Sequence, residues 1–380
     1  MRTVLEVDGL FDGERVVSNA AIVVADGTIA WAGKRGAVPK TPHGERSELR
    51  KAPGRFALPG LINCHAHLTL DGEPNFSAEV RQSDSLAALK AFRNARAALR
   101  AGVTTIRDLG ANGAMVIDLG RAIDRGLVEG PRLVAAGRGI TSTGGHGFEV
   151  GRIADGPDEV RKAVREQVHA GAKVVKIFST GGILGEGAPP DVSQFTLDET
   201  TAAVEEAHKA GLRITTHAHG VDSIEHATLM DQRTVRDLKE RDIPIVPTLC
   251  AVHFILENAA TLPPVVVERT RAVSERHREG VRLARKAGVR IAAGTDAGSP
   301  FNRHERYAVE LRLLAECGLS EEEVLTAATS AAAAVIGREN AGHIGAGCDA
   351  DLVFVNGDPL KDLALLQRPA GVYVRGAAVS

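Results

Sequence analysis

Two histidines with one small residue between them, His65 and His67, close an apolar run at residues 56–67, FALPGLINCHAH. In a β-strand, side chains i and i+2 share a face, so both imidazoles leave one strand end in the same direction. Two neutral imidazoles aimed at one point can hold a metal ion, and zinc is the commonest occupant. The pair alone is equally compatible with two solvated histidines at a strand end. Further polar residues in other apolar runs change that balance. Lys176 sits inside AKVVKIFST, where a lysine among Val, Ile and Phe is costly to bury unless it is paired or modified. His217 closes LRITTHAH, His226 follows DSIE, and Asp296 comes directly after Gly294 and Thr295 in VRIAAGTDAG. Singly, each has an ordinary structural role open to it, as a core histidine, a snorkelling lysine or a helix-capping aspartate. Together they describe a metal site. Cys64, beside His65, points to the opposite face and reads as core.

The elements that must position these residues alternate in type. Strand-like runs are FALPGLINCHAH, GVTTIRDLG, PRLVAAG, AKVVKIFST, LRITTHAH, DSIEHAT, IPIVPTLC and VRIAAGTDAG. Helical runs such as SLAALKAFRNARAALRAG and DEVRKAVREQVHAGA lie between several of them, each ending near a glycine as a C-cap would. Eight β-branched, apolar strands alternating with helices predict an α/β fold, a (β/α)8 TIM-like barrel over residues 57–342. In that fold the strand C-termini open onto one face, where active sites gather. Residues 1–56 and 343–380 show short alternating runs with DG turns, which predicts a small β-sandwich assembled from both termini. The competing fold, an open doubly wound sheet, lacks the GxGxxG turn that opens a dinucleotide site.

Composition excludes several classes of function. With 44% hydrophobic and 25% charged residues, the 380-residue chain is that of an ordinary globular protein. A net charge of −2 and 3% aromatics argue against nucleic acid or an anionic membrane as partner. No apolar stretch approaches the ~18 residues of a membrane span, and the N-terminus lacks a basic-then-apolar leader pattern. Four scattered cysteines without a CxxC pair oppose both a disulfide framework and a thiolate zinc site. The expectation is a soluble, cytoplasmic protein acting on a small molecule, with a homo-oligomer left open.

The chain resembles the amidohydrolase superfamily, and within it the imidazolonepropionase- and prolidase-like hydrolases. The resemblance rests on LPGLINCHAH, GVTTIRDLG, TSTGGHG, KVVKIFSTGG, THAHG, SIEHATLMD, VPTL, AGTDAGSP and GHIGAGCDADLVFVNGDPL. It implies the same barrel with a small β domain. It also implies two divalent ions, zinc first among them. His65, His67 and Asp296 would hold one ion, and His217 and His226 the other. Lys176 would bridge both as a carbamate formed with CO2. Asp296 would act as general base, and His146 in the TSTGGHG loop would bind the substrate carbonyl or carboxylate. The implied reaction is hydrolysis of an amide (C–N) bond in an N-acyl amino acid or dipeptide. Cyclic amide or imide hydrolysis is the alternative. Deaminating relatives carry HxxE after the fifth strand, whereas here His217 is followed by Ala218, His219 and Gly220. Dipeptide-cleaving relatives often place a tyrosine after VPTL; here VPTLCAVHF has none, and His253 is the substitute candidate for substrate binding.

One interval departs from the pattern. His217 and His226 are nine residues apart, where a crossover between parallel strands usually takes a helix and ~30 residues or more in all. Descending and climbing full-length strands needs roughly 35–40 Å, and nine residues reach at most about 30 Å. The barrel is therefore expected to be distorted between its fifth and sixth strands. A hairpin-displaced sixth strand, shortened strands, or a lost segment would each account for it. If a covering helix is absent, the apolar backs of these strands should face water and the second metal site should suffer. A catalytically impaired barrel acting as a binding protein then competes with the enzyme.

Overall fold

The computed structural model describes residues 2–43, 46–183, 191–216 and 221–380. The chain opens with β1 (Arg2–Phe11), β2 (Val16–Ala25), β3 (Thr28–Lys34) and β4 (Ser47–Pro59), then enters β5 (Leu61–Ala66). Two helices follow, α1 (Phe76–Val80) and α2 (Asp84–Arg100), then β6 (Val103–Asp108), α3 (Met115–Asp124) and β7 (Arg132–Ala135). Two short strands, β8 (Ile140–Thr141) and β9 (Arg152–Ile153), precede α4 (Pro157–Ala170) and β10 (Val174–Ile177). Next come α5 (Leu197–Lys209), β11 (Arg213–Thr216), β12 (Ser223–Glu225), α6 (Gln232–Glu240) and β13 (Ile245–Val246). The remainder comprises α7 (Leu249–Glu257), α8 (Pro264–Ala287), α9 (Tyr307–Glu316), α10 (Glu321–Ala328), α11 (Ser330–Ile336), β14 (Leu352–Asn356), β15 (Gly371–Val374) and β16 (Ala377–Ala378).

The helices begin and end where local chemistry dictates. Helix α4 starts with Pro157, carries Asp158 and Glu159 in its first turn, and stops at Gly171 with φ of 98°. That conformation costs glycine little and a side chain more. Helix α5 opens with a reciprocal capping box between Thr196 and Glu199.

Both chain ends join one seven-stranded sheet, in the order β16-β15-β14-β4-β1-β2-β3. The run expected as a single strand at 56–67 is two strands in two sheets. Phe56–Pro59 pairs with β14, and the chain turns at Gly60 into β5. A Cβ at Gly60 would overlap the Thr104 hydroxyl, so only glycine lets the corner pass this close to β6.

The central strands pair in parallel, as β5-β6-β7 and as β13-β12-β11-β10-β8-β9. The Lys173 amide donates to Ala135 O at 2.9 Å, linking the start of β10 to β7. The expected eighth strand is not a regular strand. Residues 290–297 instead make isolated parallel bridges, Ile291 with Ile245 and Ala297 with Ala66. The amide of Cys64 donates to Ala293 O at 3.0 Å, and that of His67 to Ala297 O at 2.8 Å. The expected strand IPIVPTLC is also shorter: β13 ends before Pro247, and Leu249 and Cys250 already belong to α7. Proline has no amide hydrogen to continue a ladder.

Strands β11 and β12 flank the short interval. They run parallel, Thr215 opposite Ser223 and Thr216 opposite Ile224. They are only four and three residues long, so the path to be retraced is far shorter than for full-length strands. Their apolar backs do not face water, contrary to the expectation. Ile214, Val221 and Ile224 are buried in one cluster with Ala203 and Ala207 of α5 and Val235 and Leu238 of α6.

Gly294 is the tightest point of the irregular eighth segment. A Cβ there would overlap Val246 and come within 3.0 Å of the His65 amide nitrogen, which is backbone and cannot rotate away. Gly294→Ala should therefore destabilise the chain by about 1–3 kcal/mol, the usual range for overpacking; urea unfolding of parent and variant measures it.

Candidate metal centre

His65 is an inward residue of β5 and is buried; His67 lies just past the strand end. Their ring centroids are 5.3 Å apart. Each ring is set by a bond from its other nitrogen. His65 Nδ1 bonds Glu225 Oε2 at 2.8 Å, and His67 Nδ1 bonds the carbonyl of Gly110 at 3.0 Å. Both acceptors lack a proton, so each Nδ1 carries the hydrogen and each Nε2 keeps its lone pair. The two Nε2 atoms stand 3.4 and 3.2 Å from Asp296 Oδ1. His65, His67 and Asp296 thus form a three-donor group that could hold a metal ion.

Asp296 is brought there by β5 itself. Its amide donates to His65 O at 2.8 Å, and Asn63 clamps Thr295 through two bonds. Asp296 has φ of 57°, His226 of 62° and Thr248 of 54°, left-handed values that side chains adopt at a cost. His226 sits with its ring centroid 4.9 Å from that of His65. Its Nδ1 bonds Thr248 Oγ1 at 2.6 Å, while that hydroxyl donates to Pro247 O. A hydroxyl has one hydrogen, so His226 is protonated on Nδ1 and presents its lone pair at Nε2. His217 lies outside the described residues, as does His219.

Lys176 on β10 is 1% exposed, and its Nζ has no hydrogen-bond partner among the described residues. Burial pushes its pKa down to about 8, against the pull of Glu225 and Asp296. Burial likewise holds His65 and His226 below the ordinary histidine value. For Asp296 burial would raise the pKa, but the imidazoles of His67, His65 and His226 around it outweigh that and lower it. His146 lies in the loop after β8, and burial takes its pKa down to about 4. A Cβ on Gly182 would overlap the His146 ring, so that glycine leaves the ring its room.

Three buried residues around the site escaped the reading of the sequence. Glu225 and Arg107 are both fully buried and bonded at 2.6 Å. Arg107 also donates to Cys64 O and Ser223 Oγ, and Glu225 accepts from Thr215, Ser223 and His65. Their signal was present: a charged residue inside a strand-like run, the same anomaly that singled out Lys176. Asp108 was missed too. It accepts from the Leu68 amide at 2.7 Å and anchors the turn after His67.

A cavity of about 300 Å³ adjoins the group, lined by His146, His226, Asp296 and residues of α6, α7 and α8. His253 is not on it. Its ring lines a separate cavity between α7 and α8 with Leu256, Ser274 and Arg278, because it points from the far side of α7. His277 of α8 lies on the wall of both cavities.

Helix α7 has no side-chain cap of its own; Glu310 of α9 accepts from its Leu249 and Cys250 amides at 3.0 and 2.8 Å. Burial nonetheless pushes the Glu310 carboxyl up to about 7. A carboxyl raised on folding contributes stability below its unfolded value that is lost as pH rises through the folded one. Between about pH 4.5 and about pH 7, stability should fall by on the order of 3 kcal/mol from this group; Glu310→Gln should flatten that slope in urea unfolding series. Glu225→Gln should loosen His65 and lower zinc affinity about 10–100-fold, the range for losing a ligand's supporting carboxylate, as measured by competition with a chelating dye.

Residues 56–379 match the amidohydrolase family. Ochratoxinase of Aspergillus niger is 29% identical over 404 residues, spanning 95% of this chain and 82% of its own. Imidazolonepropionase of Salinispora tropica is 27% identical, spanning 94% and 90%. Among solved structures, a Xaa-Pro dipeptidase with methionine bound in its active site superposes with a TM-score of 0.92 at 29% identity over the whole of both chains. The match spans well over half of the chain, and relatives and solved structures align along nearly its whole length: the chain belongs to the amidohydrolase family.

Proposed function

We propose that this chain is a binuclear metal-dependent hydrolase that cleaves an amide bond of a small molecule such as an N-acyl amino acid or dipeptide. The observation that carries the reading is the convergence of His65 Nε2, His67 Nε2 and Asp296 Oδ1 beside a buried amine that has no hydrogen-bond partner among the described residues. The donors suit zinc, a metal of imidazole and carboxylate sites. His65, His67 and Asp296 would hold one ion, with His226 and His217 for a second. A partly neutral Lys176 amine can form an N–C bond to CO2 and release a proton, which would turn a costly buried cation into an anion able to help hold metal. Two such ions, when bound, supply Lewis acidity toward the scissile carbonyl and acidify water.

The chain's own residues do the rest. Asp296, held low in pKa, stays ionised and takes the proton of the attacking water, then returns it to the leaving nitrogen. His146, uncharged at neutral pH, offers one N–H to the substrate carbonyl or carboxylate. Glu225 and Arg107 keep His65 aimed throughout. The apolar walls of the cavity exclude bulk water from the reacting bond.

Elemental analysis after dialysis should find about two zinc ions per chain, and none would overturn the metal reading. Asp296→Asn should cut kcat on N-acyl amino acids at least ~100-fold, the low end for acid–base catalysis; an unchanged kcat removes Asp296 from the chemistry. Lys176→Ala should lose metal, and added short carboxylates should restore part of it.

A further inference from the structure

At the start of helix α7, two tasks that one residue usually combines are divided between two. The N-cap is Thr248, a residue type whose hydroxyl ordinarily accepts from the first amides of the helix. Here that hydroxyl makes no bond to the helix it begins. It accepts instead from His226 Nδ1 at 2.6 Å and donates to Pro247 O. Thr248 also stands at φ 54° and ψ 45°, whereas an N-cap is ordinarily extended. A β-branched residue keeps that left-handed conformation only where its surroundings hold it there. The cap itself comes from 60 residues away: Glu310 of α9 accepts from the Leu249 and Cys250 amides. Glu310 is fully buried, as is Thr248. Burying a carboxylate is expensive where a threonine already at the N-cap position could do the same work. The arrangement makes sense if the threonine is needed elsewhere.

We infer that Glu310 is a positioning residue for His226: by capping α7 in the place of Thr248, it leaves the Thr248 hydroxyl to fix the His226 ring in its Nδ1–H form. The consequence for a metal ion rests on the reading of His226 as a ligand under Proposed function; the consequence for the ring does not. Each link has one task. Glu310 holds the first two amides of α7, the helix start so held keeps Thr248 left-handed, and Thr248 accepts the Nδ1 hydrogen. With that hydrogen committed, the lone pair stays on Nε2. An unconstrained imidazole side chain favours the opposite tautomer, so the choice has to be imposed by a bond at the other nitrogen. Without Glu310 the two amides lose their acceptor, and the hydroxyl at the N-cap position is the group that ordinarily takes them. Thr248 would then turn to its own helix and release His226.

Four variants of the full chain test this: Glu310→Gln, Thr248→Val, Thr248→Ser, and Glu310→Gln combined with Thr248→Val. Glutamine keeps the size of the side chain and one acceptor, valine keeps the shape of threonine without its hydroxyl, and serine keeps the hydroxyl. The tautomer of His226 is read on metal-free protein by long-range 15N–1H NMR, its signal identified by its loss in His226→Gln. The parent and Thr248→Ser should carry the hydrogen on Nδ1, whereas Glu310→Gln and Thr248→Val should shift it toward Nε2. Cobalt(II) titration against a chelating dye then reads the affinity of each ion. Thr248→Val should weaken one ion about 10–100-fold, the range for losing a ligand's outer support, and leave the other within about threefold. Glu310→Gln should weaken the same ion about tenfold, and Thr248→Ser should stay within about threefold of the parent. The combined variant should be no more than about threefold weaker than Thr248→Val alone, because residues acting in one chain do not add. An unshifted tautomer in Glu310→Gln overturns the inference, and that variant decides alone if Thr248→Val does not fold. Equal weakening of both ions, or losses that multiply in the combined variant, overturns it too. A parent that binds no cobalt while the tautomer shifts as expected sinks the metal reading and leaves the positioning chain standing; two bound ions with an unshifted tautomer do the reverse.

Discussion

The site depends on a buried ion pair. Glu225 and Arg107 lie in the interior of the strand array at 0% and 1% exposure, bonded at 2.6 Å. Burying two charges costs several kcal/mol each, and the pair is tolerable because its remaining lone pairs and protons are used. Arg107 reaches β5 through Cys64 O and β12 through Ser223; Glu225 reaches β11 through Thr215 and β5 through His65. One polar knot therefore ties four strands together. It also fixes the tautomer of His65, so strand geometry and ligand geometry are the same constraint.

The usual filling of such a barrel is layers of Val, Ile and Leu. Here the inward positions carry Asn63, His65, Arg107, Lys176, Thr215, Ser223 and Glu225, all buried. The apolar residues of these strands, such as Ile214 and Ile224, are buried in one cluster with residues of the surrounding helices. Stability is thus supplied outside the strands, and the inside is left to chemistry. The irregular eighth segment follows the same division. Its glycines permit close approach to β5, and its left-handed Asp296 turns a carboxylate toward the two imidazoles. Strain at Asp296, His226 and Thr248 is held by hydrogen bonds to neighbouring strands.

Much of this was legible because it follows from residue type and period. HxH at a strand end places two imidazoles on one face, and the structure brings their Nε2 atoms to one carboxylate. A lone lysine among branched apolar residues announces a buried amine, and Lys176 is one. The helical run at α4 is capped by Gly171 as expected, and that at α2 by Ala101, one residue before Gly102. Less legible were features set by neighbours distant in sequence. Gly60 divides one apolar run between two sheets because Thr104 stands against it. His253 faces away from the centre because the register of α7 is fixed by Glu310 and the packing of α8.

The interval between His217 and His226 marks the boundary between the two kinds of knowledge. Residue count alone excluded a full crossover between full-length strands, and that constraint holds. Count could not choose among a hairpin, short strands and a lost segment, because the choice depends on what covers the strands. In the tertiary structure the strands that flank it are parallel and four and three residues long, and their apolar residues are buried. By itself the sequence determined the class of fold, the donor types and their strand positions, since these need only periodicity and local chemistry. Which donors meet, which histidine joins them, and that a buried glutamate and arginine hold them in place were decided by contacts between strands. No local pattern encodes those contacts.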